Sequence, residues 1–465
     1  MVVATGKVRN FERNFCCLGN DLLAMIAPHT QTRINHEIMH TLNLSGFNRR
    51  SLFIRQILKR RTTVHCLFGF FMVSVITTFL TPCIAKDATP LKVFLLVGQS
   101  NMQGHAHIRT FEHIGMDPET LPFLSVMQDE EKQPRICDKV WISYLSTSGV
   151  KQGQLSVGFG ASEDKIGPEY TFGIYMQKHL KQPILIIKTA WGGKSLHTDF
   201  RSPSAGPYLF TEQQIEGFAK QGKDFKQIKA ERARMTGLHY RLMIGHVERV
   251  LQNIKSVYPD YNEQHGYELA GMVWFQGWND MVDRGVYPRR DQPGGYDHYS
   301  DALGHFIRDV RRDLSTPDLP FVIGVIGVGG AVEHYGARQK RYAGIHQYFR
   351  SAMAAPATWP EFDGNVSSVL TENYWDMELT ALRARDAELN QKMKQLVSNG
   401  NLQKKEQQSM REKLRAEMFT KRELETLQKG VSNQEYHYLG SAKIMAQIGR
   451  GFAESIAQLM GPSSN

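Results

Sequence analysis

Continuous apolar runs of strand length recur along the chain from residue 93 onward. Five of them are predicted strands, at 93–97, 184–187, 272–275, 321–326 and 366–370. Helical patterns lie between these runs, and the clearest covers 239–257, where apolar side chains recur three and four positions apart. Uninterrupted apolar strands that alternate with helices are typical of a parallel sheet covered on both faces. The pattern therefore predicts an α/β fold with a central parallel sheet of about five strands.

Two further helical regions are predicted towards the C-terminus. Apolar residues between 445 and 459 recur at helical spacing, which indicates a final amphipathic helix. The stretch 377–430 carries twelve basic and eight acidic residues, and its apolar positions predict two charged helices in a hairpin that is broken at 399–401. We interpret 377–430 as a solvated helical insertion; a lid and a docking surface for another subunit are the alternatives.

The first 85 residues have the order of an export signal. Basic residues at 59–61 precede an apolar run at 66–80, and small residues follow at 83–85. This order is typical of a secretory signal, and the run is shorter than the roughly 20 residues that a permanent membrane span needs. A buried core helix and an uncleaved anchor are the alternatives. We expect cleavage after Ala85, a secreted or periplasmic protein without a membrane span, and one domain over 86–465.

Composition changes this picture in two respects. The formal charge of the 465-residue chain is +10, but residues 1–85 hold ten basic and three acidic side chains, so the rest carries little excess and no nucleic acid groove is implied. Of five cysteines only Cys137 follows the expected cleavage point, so the domain has no internal disulfide. No Cys and His spacing typical of a zinc site occurs. The sequence predicts neither a metal nor an oligomeric state.

The residues that follow the predicted strands are the candidates for chemistry, because ligands of such sheets bind at the carboxyl ends of strands. Ser100 follows the first strand, with Gly98 two positions earlier to permit a tight turn. The second strand leads into Gly192 and Gly193, whose backbone N–H groups could approach a ligand closely, although an ordinary turn is the simpler interpretation of this pair alone.

Two more candidates come later in the chain. Asn279 follows the third strand and offers an uncharged donor for an oxyanion, or else the N-cap of a helix. His437 lies just before the final helix, where it could act as a general base or have a structural role. Tryptophans near the same strand ends are candidates for stacking on a sugar or for core packing: Trp191, Trp274, Trp278 and Trp375.

The order of these blocks resembles that of the SGNH hydrolases. The segments GQSNM, KTAWGGKSL, WFQGWND and HYLGSA are similar to those of sialate O-acetylesterase-like carbohydrate esterases, a branch that includes acetylxylan esterases. The resemblance implies a flavodoxin-like three-layer fold and a secreted serine esterase that removes O-acetyl groups from carbohydrate without a cofactor. It assigns the nucleophile to Ser100, the general base to His437, and the oxyanion donors to Ser100, Gly193 and Asn279.

One position departs from the family pattern. The aspartate expected three residues before the histidine is replaced by Gln434. We rank Glu435 first as the residue that orients His437; Asp376 and a dyad without a third residue are the alternatives. The departure also leaves two other functions open. One is a carbohydrate-binding protein that has lost turnover, and the other is a lipase or thioesterase on the same scaffold.

Overall fold

The computed structural model describes residues 89–400 and 403–461. The predicted export signal and its cleavage point lie outside the described residues. The strands are β1 Leu91–Gly98, β2 Ala106–His107, β3 Cys137–Ser146, β4 Gly149–Leu155, β5 Lys165–Ile166, β6 Ile184–Ala190, β7 Tyr267–Phe275, β8 Phe321–Val325 and β9 Val366–Leu370. The helices are α1 Ser100–Gln103, α2 Phe111–Ile114, α3 Leu121–Met127, α4 Glu169–Leu180, α5 Glu212–Lys220, α6 Phe225–Met235, α7 Leu238–Gln252, α8 Trp278–Val282, α9 Asp297–Asp313, α10 Ala343–Ala354, α11 Met377–Gly400, α12 Lys404–Met418, α13 Lys421–Gly430 and α14 Ala442–Met460.

A seven-stranded sheet with the order β4-β3-β6-β1-β7-β8-β9 forms the centre of the fold. All neighbouring pairs are parallel except β3 and β4. The five predicted strands are β1, β6, β7, β8 and β9, and numbering them one to five in chain order gives the spatial order 2-1-3-4-5 of flavodoxin-like sheets. The predicted α/β class is therefore confirmed, with two more strands in the sheet than the five expected.

The two additional strands escaped prediction because neither is a continuous apolar run. Strand β3 mixes buried and exposed positions, and β4 is the antiparallel edge, whose first six residues are exposed or half-buried. Central strands show the opposite pattern: every residue of β6 is buried. The apolar runs of the central strands were the main signal from which the sheet was predicted, and they arise because those strands are covered on both faces.

Helices cover both faces of the sheet, as neighbouring residues of β7 show. The Trp274 ring packs 4.4 Å from the Phe306 ring of α9, whereas the Phe275 ring packs 5.3 Å from the Phe452 ring of α14. Successive residues of a strand point to opposite faces, so α9 and α14 lie on opposite sides. The predicted helix at 239–257 is α7 with a short 3₁₀ turn after it, and the predicted final helix is α14. The fold has three layers.

The charged stretch forms three helices rather than the predicted two. A break at Phe419 separates α12 from α13, because the Thr420 hydroxyl accepts from Glu423 N–H and the Glu423 side chain accepts from Thr420 N–H in a capping box. The three helices pack around a small apolar cluster of their own, formed by Leu382, Leu389, Met393 and Phe419. Helix α13 contacts α2, where Lys429 pairs with Glu112 at 2.9 Å. Within the described ranges, no helix is long and apolar enough to cross a membrane.

Candidate active site

Ser100 lies at the carboxyl end of the central strand β1. A side chain at Gly98 would place its Cβ 2.1 Å from the Phe275 carbonyl oxygen, so only glycine permits β1 and β7 to approach so closely there. The strand ends at Gly98, and the short helix α1 begins with Ser100. Ser100 is 9% exposed, and its hydroxyl makes no hydrogen bond to any other described residue. The hydroxyl thus lies at the carboxyl end of a central strand and forms no hydrogen bond with the other described residues.

The loop after β6 lies directly beside Ser100. A Cβ added to Gly192 would be 3.9 Å from the Ser100 Cβ, an ordinary van der Waals distance, so the two residues are neighbours. Gly193 follows with a φ of +74°, a left-handed conformation that favours glycine, and a Cβ added there would have no described non-neighbouring atom within 4 Å. The loop that carries the two glycines is therefore adjacent to the serine.

Gln99 joins the Ser100 turn to helix α8. Its Oε1 accepts from Gln276 Nε2 at 3.2 Å and from the N–H groups of Gly277 and Asn279 at 3.5 and 3.4 Å. These hydrogen bonds hold the Asn279 backbone next to Gln99, the residue before Ser100. The side-chain amide of Asn279 has no hydrogen-bond partner among the described residues. Ser100, the glycine pair and Asn279 follow the three adjacent strands β1, β6 and β7, as predicted.

The fully buried Asp280 holds the glycine loop against α8. Its carboxylate accepts from the backbone N–H groups of Leu196 and His197 at 2.8 and 3.1 Å, and it contacts His197 Nδ1 at 2.8 Å. Gln276 Nε2 donates to the same carboxylate at 2.6 Å. Sequence reasoning missed this role, because the loop partners are 83 and 84 positions away and no local pattern marks them.

His437 lies on a strained turn that contacts α1. The two residues after it, Tyr438 and Leu439, have φ values of 51° and 61°, a region costly for side chains other than glycine. Hydrogen bonds maintain the turn: Tyr438 Oη accepts from Gly327 N–H at 2.8 Å, and the Leu439 carbonyl accepts from the N–H groups of Ser432 and Asn433. Cα atoms of this turn approach those of α1 within 8 Å. The structure therefore brings the turn that carries His437 to the helix that begins with Ser100.

The His437 ring is fixed on two sides. It stacks on the ring of His105, five residues after Ser100, with centroids 3.9 Å apart and an interplanar angle of 1°. Its Nδ1 lies 3.0 Å from Asn433 Oδ1. The same Oδ1 accepts from Gln434 N–H at 2.7 Å, so it acts as an acceptor and His437 Nδ1–H donates to it. This contact leaves Nε2 as the basic nitrogen.

The residues ranked as third triad members make other contacts. Glu435 Oε1 accepts from Gln339 Nε2 at 2.9 Å, and Asp376 pairs with Lys443 at 3.1 Å and caps α11 by accepting from Leu379 N–H. Within the described ranges, no carboxylate forms a hydrogen bond or ion pair with His437. Asn433, one position before Gln434, makes the contact that the prediction gave to Glu435, and only the folded turn could reveal it.

Burial and then the positive charge of Lys165 lower the pKa of His437 to about 4. The neighbouring His105 has its pKa lowered to about 3, first by burial and then by His437. Removing an imidazole from water disfavours its cationic form, and the neutral Asn433 supplies no negative charge to oppose that effect. His437 is therefore neutral at pH 7, the state that a general base requires.

We expect Asn433→Asp to raise the pKa of His437, because a carboxylate 3.0 Å from Nδ1 stabilises the imidazolium. If neutral His437 is the base, wild-type kcat/KM is retained above pH 4 and falls as the pH decreases through about 4. The variant should lose activity at a pH about one to two units higher. The measurement is the pH dependence of kcat/KM for an acetyl ester, with Asn253→Asp, directly after α7, as the matched control. If the pH at which kcat/KM falls is the same in the variant as in the wild type, or lower, the result would contradict this role of Asn433.

A fully buried ion pair lies beneath helix α1, which begins with Ser100. Lys188 Nζ donates to Glu169 Oε2 at 2.7 Å and to the carbonyls of Gln103 and Phe159 at 3.0 and 2.7 Å. Burial raises the pKa of Glu169 and lowers that of Lys188, and the attraction between them opposes both shifts. Because Gln103 ends α1, this ammonium group ties the helix that carries Ser100 to the core.

Within the part of the chain that the structure describes, no three His, Cys, Asp or Glu side chains form a group that could hold a metal ion. The candidate groups at the carboxyl ends of the strands are the Ser100 hydroxyl, the His437 imidazole and the backbone N–H groups of the loop after β6. These groups are the components of an acyl-transfer site.

Comparison with known proteins finds one matching family and eight matching chains of solved structures, of which two are described here. The profile of the family described as "Carbohydrate esterase, sialic acid-specific acetylesterase" matches residues 90–355, which include Ser100, Gly193 and Asn279 and end before His437. A protein from Arabidopsis thaliana is 17% identical with a TM-score of 0.31, over 61% of this chain and 86% of its own. A carbohydrate acetylesterase from Xanthomonas citri is 13% identical with a TM-score of 0.33, over 60% of this chain and 49% of its own. No curated protein matches the chain.

Proposed function

Since the chain belongs to the sialic acid-specific acetylesterase family of carbohydrate esterases, we propose that it is a serine esterase that removes O-acetyl groups from carbohydrate. The observation that carries the proposal is that the turn of His437 lies against helix α1, which begins with Ser100, while the Ser100 hydroxyl has no hydrogen-bond partner among the described residues. A serine needs a neighbouring base to act as a nucleophile near neutral pH.

In the proposed first step, Ser100 Oγ attacks the acetyl carbonyl carbon while His437 Nε2 takes the hydroxyl proton. The carbonyl oxygen becomes an oxyanion, which receives hydrogen bonds from the N–H groups of Ser100 and Gly193 and from the Asn279 side chain. The bond to the sugar oxygen then breaks, and His437 returns its proton to that oxygen. The products of this step are the deacetylated sugar and an acetyl ester on Ser100.

Water completes the proposed reaction by the same path. His437 Nε2 takes a proton from water, and the hydroxide attacks the acetyl-Ser100 carbonyl carbon. The resulting oxyanion accepts hydrogen bonds from the same donors as in the first step. Collapse returns the proton from His437 Nε2 to Ser100 Oγ and releases acetic acid, which ionises to acetate and a proton in solution. Asn433 orients the imidazole throughout by accepting from Nδ1–H, an interaction in which an amide oxygen takes the place of the usual carboxylate. Every atom and proton is accounted for without a cofactor.

The direct test measures acetate released by the full-length protein from acetylated xylan and O-acetylated sialic acids, and p-nitrophenol released from its acetyl and octanoyl esters. We expect acetate from at least one glycan and a preference of tenfold or more for the acetyl over the octanoyl ester, since the proposed substrate carries a two-carbon acyl group. A preference for octanoate would favour a lipase or thioesterase. A protein that binds the glycans but hydrolyses none of these esters would be a binding protein.

A further inference from the structure

Two aromatic residues flank the candidate catalytic groups in sequence and meet in space. Trp278 directly precedes Asn279, and Tyr436 directly precedes His437. The Trp278 and Tyr436 rings lie 5.7 Å apart with a tilt of 36°, and the Tyr436 ring also meets the His437 ring at 4.5 Å. Segments 158 positions apart in the chain thus form one aromatic surface beside the general base.

This aromatic surface is open to solvent. Tyr436 is 42% exposed and Trp278 is half-buried. The other tryptophans near the strand ends, which the sequence suggested as equal candidates for the cleft, are buried core residues: Trp191, Trp274 and Trp375. Trp278 is the member of that set whose position permits contact with a bound molecule.

The polar groups of the pair have no partners among the described residues. Neither the indole N–H of Trp278 nor the hydroxyl of Tyr436 forms a hydrogen bond there. Buried aromatic residues close by are satisfied: Trp274 donates to Tyr299 Oη at 3.4 Å, and the Tyr438 hydroxyl bonds to Gly327 N–H and to Thr371. Structural Tyr and Trp side chains usually find such partners, so the open pair has binding capacity that the fold does not use.

We propose that Trp278 and Tyr436 bind the sugar ring that carries the acetyl group, with a pyranose as the occupant. The proposal rests on the proposed function. A pyranose presents a face of C–H groups that can stack on an aromatic ring, and its hydroxyls can accept from the indole N–H and bond to the phenol. An alkyl chain would leave both polar groups unpaired in the complex. Trp278 and Tyr436 therefore bind the sugar, which is the alcohol part of the ester, while Ser100 and the neighbouring hydrogen-bond donors bind the acetyl group.

The test compares a sugar ester with an ester that lacks a ring. We would measure kcat/KM of the full-length protein for methyl tri-O-acetyl-β-xylopyranoside and for ethyl acetate, and take their ratio. In Trp278→Ala and in Tyr436→Ala the ratio should fall at least about fivefold, through a higher KM for the sugar ester. Tyr267→Ala is the matched control: Tyr267 is 43% exposed but begins β7 at the opposite end of the sheet, so its ratio should stay at the wild-type value.

Conservative variants keep the proposal testable if an alanine variant does not fold. Trp278→Phe and Tyr436→Phe retain a ring but lose the polar group, and their ratio should fall about two- to fivefold. A ratio within 1.5-fold of wild type in the folded variants would overturn the proposed sugar contact while ethyl acetate is still hydrolysed. A wild-type protein that hydrolyses neither ester would instead overturn the proposed function.

Discussion

Ser100→Ala should lower kcat for acetyl ester hydrolysis at least about 10,000-fold, because it removes the only atom that the proposed mechanism can acylate. The remaining oxyanion donors and binding contacts account for whatever activity persists. Stability should change little, since the Ser100 hydroxyl makes no hydrogen bond to another described residue. We therefore expect a folded variant whose unfolding temperature is close to that of the wild type and which no longer hydrolyses acetyl esters.

The measurement combines kinetics with covalent labelling. A fluorophosphonate should modify Ser100 in the wild-type protein, which peptide mass spectrometry would locate, and should leave Ser100→Ala unlabelled. Ser256→Ala, at an exposed position after α7, serves as the serine control and should match wild type in both assays. Two outcomes would contradict the proposal that Ser100 is the nucleophile: undiminished turnover in Ser100→Ala, or a label on a different residue. A wild-type protein as inert as the variant would favour the binding function.

Lys188→Met should destabilise the fold by about 3–5 kcal/mol, because it leaves the carboxyl of Glu169 buried without its cation. Both side chains of the pair are fully buried. The substitution also removes the donor to the Gln103 carbonyl at the end of α1, so folded molecules should lose most esterase activity. The effect on stability should exceed that of breaking any exposed pair, where water and salt screen the charges.

The free energy of unfolding can be obtained from urea denaturation followed by tryptophan fluorescence. Lys255→Met is the matched control, since Lys255 pairs with Glu263 at 3.1 Å with side chains 51% and 71% exposed, and its cost should stay within about 1 kcal/mol. The double variant Lys188→Met with Glu169→Gln should recover part of the loss, because no ionisable carboxyl then lies buried. A cost for Lys188→Met no larger than the control would show that the buried pair does not stabilise the fold.

The sequence predicted the central strands most clearly where burial was complete, and it missed two strands that are partly buried. Every residue of β6 is buried, so its apolar run was unambiguous, whereas the edge strand β4 contains Lys151, Gln152 and Gln154 and has no such run. The break between α12 and α13 was missed for a different reason. Thr420 and Glu423 form a valid capping box, but the surrounding charged residues are equally compatible with one continuous helix.

At the site, the sequence indicated the groups that follow strand ends but not the contacts that orient them. Ser100 and Asn279 could be proposed because parallel strands end at a common edge. Asn433, Gln99 and Asp280 could not, because their contacts depend on a turn geometry or on partners from distant segments. The family pattern directed attention to Gln434 and Glu435, whereas the side chain that forms a hydrogen bond with the imidazole is that of Asn433.

The distance in sequence between Ser100 and His437 has a consequence for biosynthesis. Ser100 begins α1, two residues after β1 ends, and His437 is 337 positions later, just before helix α14. A ribosome-bound chain that has already formed β1, β6 and β7 still lacks His437, the base of the proposed mechanism. If that mechanism holds, premature termination or proteolysis before His437 would yield fragments without hydrolytic activity.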